Sequence, residues 1–128
     1  MGFSSAFAVI AGGAIGSWLR WVLAVLLNPL LPVLPLGTLT VNLVGGFIIG
    51  AAMGVFGQFQ DTSPELRLFV TTGFCGGLTT FSAFSAETVS LLLRQQYAWT
   101  AAIISTHLVG SLLMTLLGVG LVRLLLKA

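Results

Sequence analysis

Apolar residues fill this chain in stretches longer than any soluble helix or strand requires. After Arg20 no charged residue occurs until Asp61, and a second uncharged run extends from Gln95 to Val122. About 20 apolar helical residues cross the hydrocarbon core of a bilayer, so each run holds at least one crossing. The pattern predicts four spans, over residues 4–27, 36–58, 66–94 and 98–126. Asn28-Pro29 with Pro32 and Pro35 separates the first two, the segment from Gln58 to Pro64 the next two, and Gln95-Gln96 the last. No ten-residue alternation of a membrane β-barrel is present. The first segment lacks a basic start and is too long and glycine-patterned for a cleaved signal peptide. The expected fold is an all-α membrane protein, one four-helix transmembrane domain over residues 1–128 with no extramembrane domain.

Composition agrees. Of 128 residues, 57% are hydrophobic and 6% charged, and the mean hydropathy is +1.10; a soluble surface of this size needs far more charge. The basic balance, a net +2, rests on five Lys and Arg residues spread along the chain. They form no patch, which sets nucleic acid aside as a partner. The single Cys75 can neither close an intrachain disulfide nor build a metal site alone. One histidine, one cysteine and three carboxylates lie on separate segments, so no catalytic set is visible and no enzymatic activity is expected. Four crossings place Arg67, Arg123 and Lys127 on one side and Arg20 and Arg94 on the other. Three against two is a weak positive-inside bias, compatible with a fixed orientation and equally with insertion both ways.

Small and polar residues recur at helical spacing. The first span carries Ala8, Gly12, Gly16 and Arg20, four residues apart. Helices in lipid associate through close backbone approach and polar contacts, so this is a packing face. Arg20 either snorkels to the membrane surface or faces a water-filled, electropositive vestibule that attracts an anion. The second span repeats the pattern with Thr38, Asn42, Gly46, Gly50 and Gly54, and the last with His107, Ser111 and Thr115. Asn42 is either an interhelical hydrogen-bonding residue or part of a polar pathway. His107 reads first as a hydrogen-bonded packing residue and second as a proton relay or ligand.

The third span contains Thr-Thr-Gly-Phe-Cys-Gly-Gly-Leu-Thr-Thr-Phe-Ser-Ala-Phe-Ser over residues 71–85. Three glycines in five positions followed by paired threonines are poor helix formers, and a break is expected there. Non-helical backbone at membrane depth survives only when buried in protein or lining a polar site. Broken transporter helices hold cations with such carbonyls and face anions with half-helix N-termini. Beyond the break Phe81 and Phe84 share one helical face, and Ser82 and Ser85 the neighbouring one. Aromatic rings have a positive edge, so the pair could meet an anion while the hydroxyls donate hydrogen bonds.

The run from Gly73 to Ser85 resembles the signature of the Fluc fluoride channels, also called the CrcB family. The segment Gly37-Thr38-Leu39-Thr40-Val41-Asn42-Leu43-Val44-Gly45 and an arginine late in the first helix are similar too, and the resemblance covers essentially the whole chain. It implies an antiparallel, dual-topology homodimer in the bacterial inner membrane, with two pores at the interface. These would export cytoplasmic fluoride passively and confer fluoride resistance. It further implies a central sodium ion held by main-chain carbonyls, here those of Gly76 and Thr79 from both subunits. Phe81 and Phe84 would present ring edges to fluoride, and Asn42 an amide N–H. Ser82, Ser85, Thr38 and Ser111 would form a polar track, Arg20 would face the vestibule, and Glu87 and His107 would stand near the track. Two other readings compete. A small multidrug-exporter-like antiporter needs a membrane carboxylate in helix 1, where this chain has none. An accessory membrane subunit would use its glycine rows for packing alone.

Overall fold

The computed structural model describes residues 2–127, so Met1 and Ala128, the ends of the expected domain, and the Lys127 side chain lie outside the described residues. Helix α1 runs Phe3–Leu27 and α2 Leu36–Gln58. The third span comprises α3 (Pro64–Leu68), a π-helical stretch Phe69–Cys75, α4 (Gly76–Leu78) and, past an interruption, α5 (Phe81–Leu93). Helix α6 covers Tyr97–Lys127. Four spans are long and apolar enough to cross a membrane, and no strand occurs among the described residues. The chain is a multi-pass, all-helical membrane protein.

Each boundary has a local cause. Asn28 ends α1 and reaches across to α2, where its Oδ1 accepts from the Gly37 and Thr38 amides at 2.8 and 3.2 Å. Those are first-turn donors that no intrahelical carbonyl can take. Ser63 caps α3 by accepting from Leu66 N, with Pro64 in the first turn; hence the third span starts two residues earlier than expected. Arg67 folds back onto the end of α2, donating to the carbonyls of Phe59 and Gln60 at 3.1 and 3.0 Å. Its guanidinium also lies 5.1 Å from the centre of the Phe56 ring, a cation–π contact. Gln95, with φ of 58°, turns the chain into α6.

Two helix pairs organise the bundle. Gly46, Gly50 and Gly54 of α2 lie against α6, where a Cβ at Gly50 would enter the Thr115 carbonyl. Thr115 Oγ1 donates to the Gly46 carbonyl across this contact at 3.0 Å. Helix α1 packs on the third span in the same way, Gly12 and Gly16 against its backbone and Gly73 and Gly77 facing back. The glycine run stays helical and serves close approach, and the expected break in this glycine- and threonine-rich stretch falls at its paired threonines. A small apolar cluster of Leu34, Leu91 and Ile103, with Phe84 beside it, ties α5 to α6 near the loop after α1.

Gly50→Val should destabilise the protein by about 1–3 kcal/mol, the usual cost of overpacking, read as a lower melting temperature in detergent. Gly57→Ala, where a Cβ meets nothing, should stay within about 0.5 kcal/mol of the parent. Equal melting temperatures for parent and Gly50→Val would refute the close α2–α6 contact.

Candidate functional site

The helical ladder fails at Thr79 and Thr80, whose backbones are extended (φ −83°, ψ 158° and φ −151°, ψ 113°). Asn42 of α2 meets the break with both ends of its amide. The Thr80 N–H donates to Asn42 Oδ1 at 2.8 Å, and Asn42 Nδ2 donates to the Thr80 carbonyl at 3.1 Å. One side chain thus completes both backbone groups of Thr80. The Thr80 hydroxyl in turn accepts from Ala83 N at 3.0 Å and starts α5 as its N-cap. A steric partner holds the other side, because a Cβ at Gly45 would strike the Thr79 methyl.

These substitutions leave two carbonyls without their helical donors. The amide four residues beyond Gly76 is Thr80 N, which bonds Asn42 instead. The amide four residues beyond Thr79 is Ala83 N, which bonds the Thr80 hydroxyl. Gly77 is different: its carbonyl accepts from Arg20 Nε at 2.9 Å. Gly76 and Thr79 both line a groove of about 470 Å³ open on one side of the chain.

The same groove gathers Asn42, Phe81, Phe84, His107 and Ser111. Phe81 and Phe84 stand edge to face, centroids 5.5 Å apart at 67°, and Phe81 is 78% exposed. Phe84 stacks on the other side against His107, 4.6 Å away at 28°. His107 Nδ1 lies 3.0 Å from Asn42 Nδ2. One turn along α2, the buried Thr38 hydroxyl donates to Glu87 Oε2 at 2.6 Å.

Not every expected site residue falls in the groove. Asn42, Phe81, Phe84, Ser111, Gly76 and Thr79 do. Thr38 sits behind it on Glu87. Ser82 and Ser85 are exposed on α5, with Ser82 Oγ 3.2 Å from the Thr80 hydroxyl. Arg20 is half-buried and donates to the Gly77 carbonyl. Thr80, the residue that joins the break to Asn42, was not among the expected site residues. Its signal is local: a threonine between a glycine run and a helical Phe-x-x-Phe is a natural N-cap. Among the described residues no cluster of three or more His, Cys, Asp or Glu side chains could hold a metal.

Residues 7–119 match the family model described as CrcB-like protein, Camphor Resistance (CrcB). The chain is 59% identical over 123 residues to the fluoride-specific ion channel FluC of Nitrosospira multiformis, covering 96% of each chain. It is 56% identical over 116 residues to the protein of the same name from Pseudomonas paraeruginosa, covering 91% of each. To that of an Acinetobacter baumannii strain it is 55% identical over 111 residues, covering 87% of each.

Asn42→Ala strips partners from two peptide groups at membrane depth. Each buried unsatisfied group costs about 1–3 kcal/mol, so the melting temperature should fall and the Thr80 amide should exchange with solvent faster. Unchanged exchange at Thr80 would show that the break does not depend on Asn42.

Proposed function

This chain belongs to the CrcB-like family, and on that footing we propose that it is a fluoride-selective channel that exports cytoplasmic fluoride passively and confers fluoride resistance. The observation that carries the reading is the arrangement at the break. Two aromatic rings, one edge-on to the other, open a groove beside the restart of a helix. Fluoride is small and strongly hydrated. A narrow pore passes it only by replacing water with hydrogen-bond donors and positive ring edges. Phe81 and Phe84 supply the edges, and Asn42, Ser82, Ser85, Thr38 and Ser111 the polar side. Arg20 adds positive charge near the end of α1.

Conduction needs no coupled energy source. Hydrogen fluoride crosses membranes neutral and dissociates in a neutral cytoplasm, trapping the ion. A potential of about 100 mV, negative inside, favours exit of each anion by about 2.3 kcal/mol, enough to hold a roughly fifty-fold gradient. The chain is thus a conduit, not an enzyme.

The working unit in this proposal is an antiparallel homodimer with two pores in the inner membrane. A groove at membrane depth with Phe81 largely uncovered is incomplete in one chain, and a two-fold mate closes such a surface with its own copy. The weak charge asymmetry is compatible with insertion in both orientations. The Gly76 and Thr79 carbonyls fit a central sodium ion, two oxygens from each subunit making four. Bound there, the ion would supply a fixed positive charge between the two breaks.

Purified protein in liposomes should release fluoride rapidly and chloride hardly at all; no fluoride release from well-folded protein would end the proposal. Phe81→Ile and Phe84→Ile keep apolar bulk and remove the ring edges. Each should slow fluoride efflux by about tenfold or more, the effect of losing roughly 1.4 kcal/mol of ion stabilisation, with the elution volume on size exclusion unchanged. Parental efflux in both variants would exclude the rings from the pathway.

A further inference from the structure

The loop between α1 and α2 sends one apolar side chain inward. Leu34 is 8% exposed although it lies outside any helix, and it packs with Leu91 of α5 and Ile103 of α6. The loop that presents it is held at both ends. Asn28 Oδ1 accepts from the Gly37 and Thr38 amides, and Gly37 lies so close to the last turns of α1 that a Cβ there would strike the Leu23 carbonyl. Between these ends Leu34 N donates to the Leu31 carbonyl at 3.1 Å. Pro29, Pro32 and Pro35 each fix φ, so the unfolded loop has few states to lose on placing its leucine.

Phe84 packs against this cluster. Its ring is enclosed by the Leu34 cluster, by His107 stacked 4.6 Å away, and by Phe81 edge-on at 5.5 Å. Phe81 lacks such an enclosure, being 78% exposed, and rests against Phe84. The cluster also has a free flank. Val33, Pro35 and Leu91 line a second cavity of about 210 Å³, so removing the Leu34 side chain opens volume beside Phe84 into which the ring can turn. An aromatic ring offers an anion its positive edge and repels it from its face. A ring free to turn therefore loses that interaction for part of the time.

We infer that Leu34 is a positioning residue: through the clamped loop it fixes the ring plane of Phe84, and with it the edges that both phenylalanines turn to the groove. The inference rests on the fluoride-channel reading. It gives a part in ion selection to a side chain that does not itself line the groove. Fluoride gives up more hydration than chloride on entering a narrow site, so it depends more on edges held in place. Loosening the Phe84 ring therefore slows fluoride more than chloride.

A 3-fluorophenylalanine at position 84 alone places a single 19F nucleus on the edge of this ring. In lipid vesicles in chloride buffer the parent protein should keep most of the 19F shift anisotropy of a static ring, and Leu34→Ala should show a clearly smaller one. In liposomes Leu34→Ala should slow fluoride efflux roughly three- to tenfold, the range that a side chain off its rotamer is worth, and lower the ratio of fluoride to chloride flux. Leu34→Met, close in volume, should keep the parental anisotropy and flux. Parental efflux and selectivity in Leu34→Ala, or slowed efflux with the parental anisotropy, would overturn the inference and leave the channel reading intact. Absent flux in the parent protein sinks the channel reading, and the 19F comparison still decides whether Leu34 holds the ring. If Leu34→Ala does not assemble, the slightly smaller change Leu34→Val is read by the same two measurements.

Discussion

Inside a bilayer no water is available to pair a broken backbone, so an interrupted helix persists only where protein supplies the missing hydrogen bonds. At Thr79 and Thr80 that requirement is met chiefly by one side chain, Asn42. Much else at the site depends on that contact. With the Thr80 backbone held by Asn42, its hydroxyl is free to cap α5, which places Phe81 and Phe84 at the start of the new helix. The displaced amides leave the Gly76 and Thr79 carbonyls without their usual helical donors, and both residues line the groove. Asn42 Nδ2 also lies 3.0 Å from His107 Nδ1, and His107 stacks on Phe84. A polar side chain that is destabilising in hydrocarbon when alone thus becomes the junction of α2, the third span and α6.

The packing around this junction follows from the same solvent. Lipid tails are as apolar as leucine, so helices gain little from hiding apolar surface against each other. Close backbone contact takes that place. The glycines of α2 admit α6, and those of α1 and the third span admit one another, leaving large apolar side chains such as Phe7, Trp18, Trp21 and Leu116 to face outward. The two tight pairs hold Asn42 and His107 in register, which a loosely packed bundle of Leu-rich helices would not do.

The sequence made the spans legible because lipid demands long uncharged runs. The second helix, Leu36–Gln58, falls where the pattern puts it, and the others differ by one or two residues, for local reasons such as the Ser63 cap. The break was legible in kind and lies within the glycine- and threonine-rich stretch where it was expected. Within that stretch the glycines are helical and serve contact with α1, and the interruption itself falls at the paired threonines. Phe81, Phe84, Asn42, Gly76 and Thr79, named from the motif, come together along one groove. The Thr38–Glu87 and Asn42–His107 bonds were not legible, because each joins residues about 50 or more apart and depends on how the helices are rotated about their axes. Periodicity places a residue on a face without saying which neighbour that face meets.

The pathway through this junction is most directly tested by the reversal potential of the reconstituted protein in a planar bilayer, with fluoride on one side and an equal concentration of chloride on the other. A channel that strips and rebinds fluoride at Phe81 and Phe84 should carry current reversing about 59 mV from zero for every tenfold of fluoride selectivity, with the fluoride side as the source of anions. A current that reverses at zero, or no current at all, would contradict it.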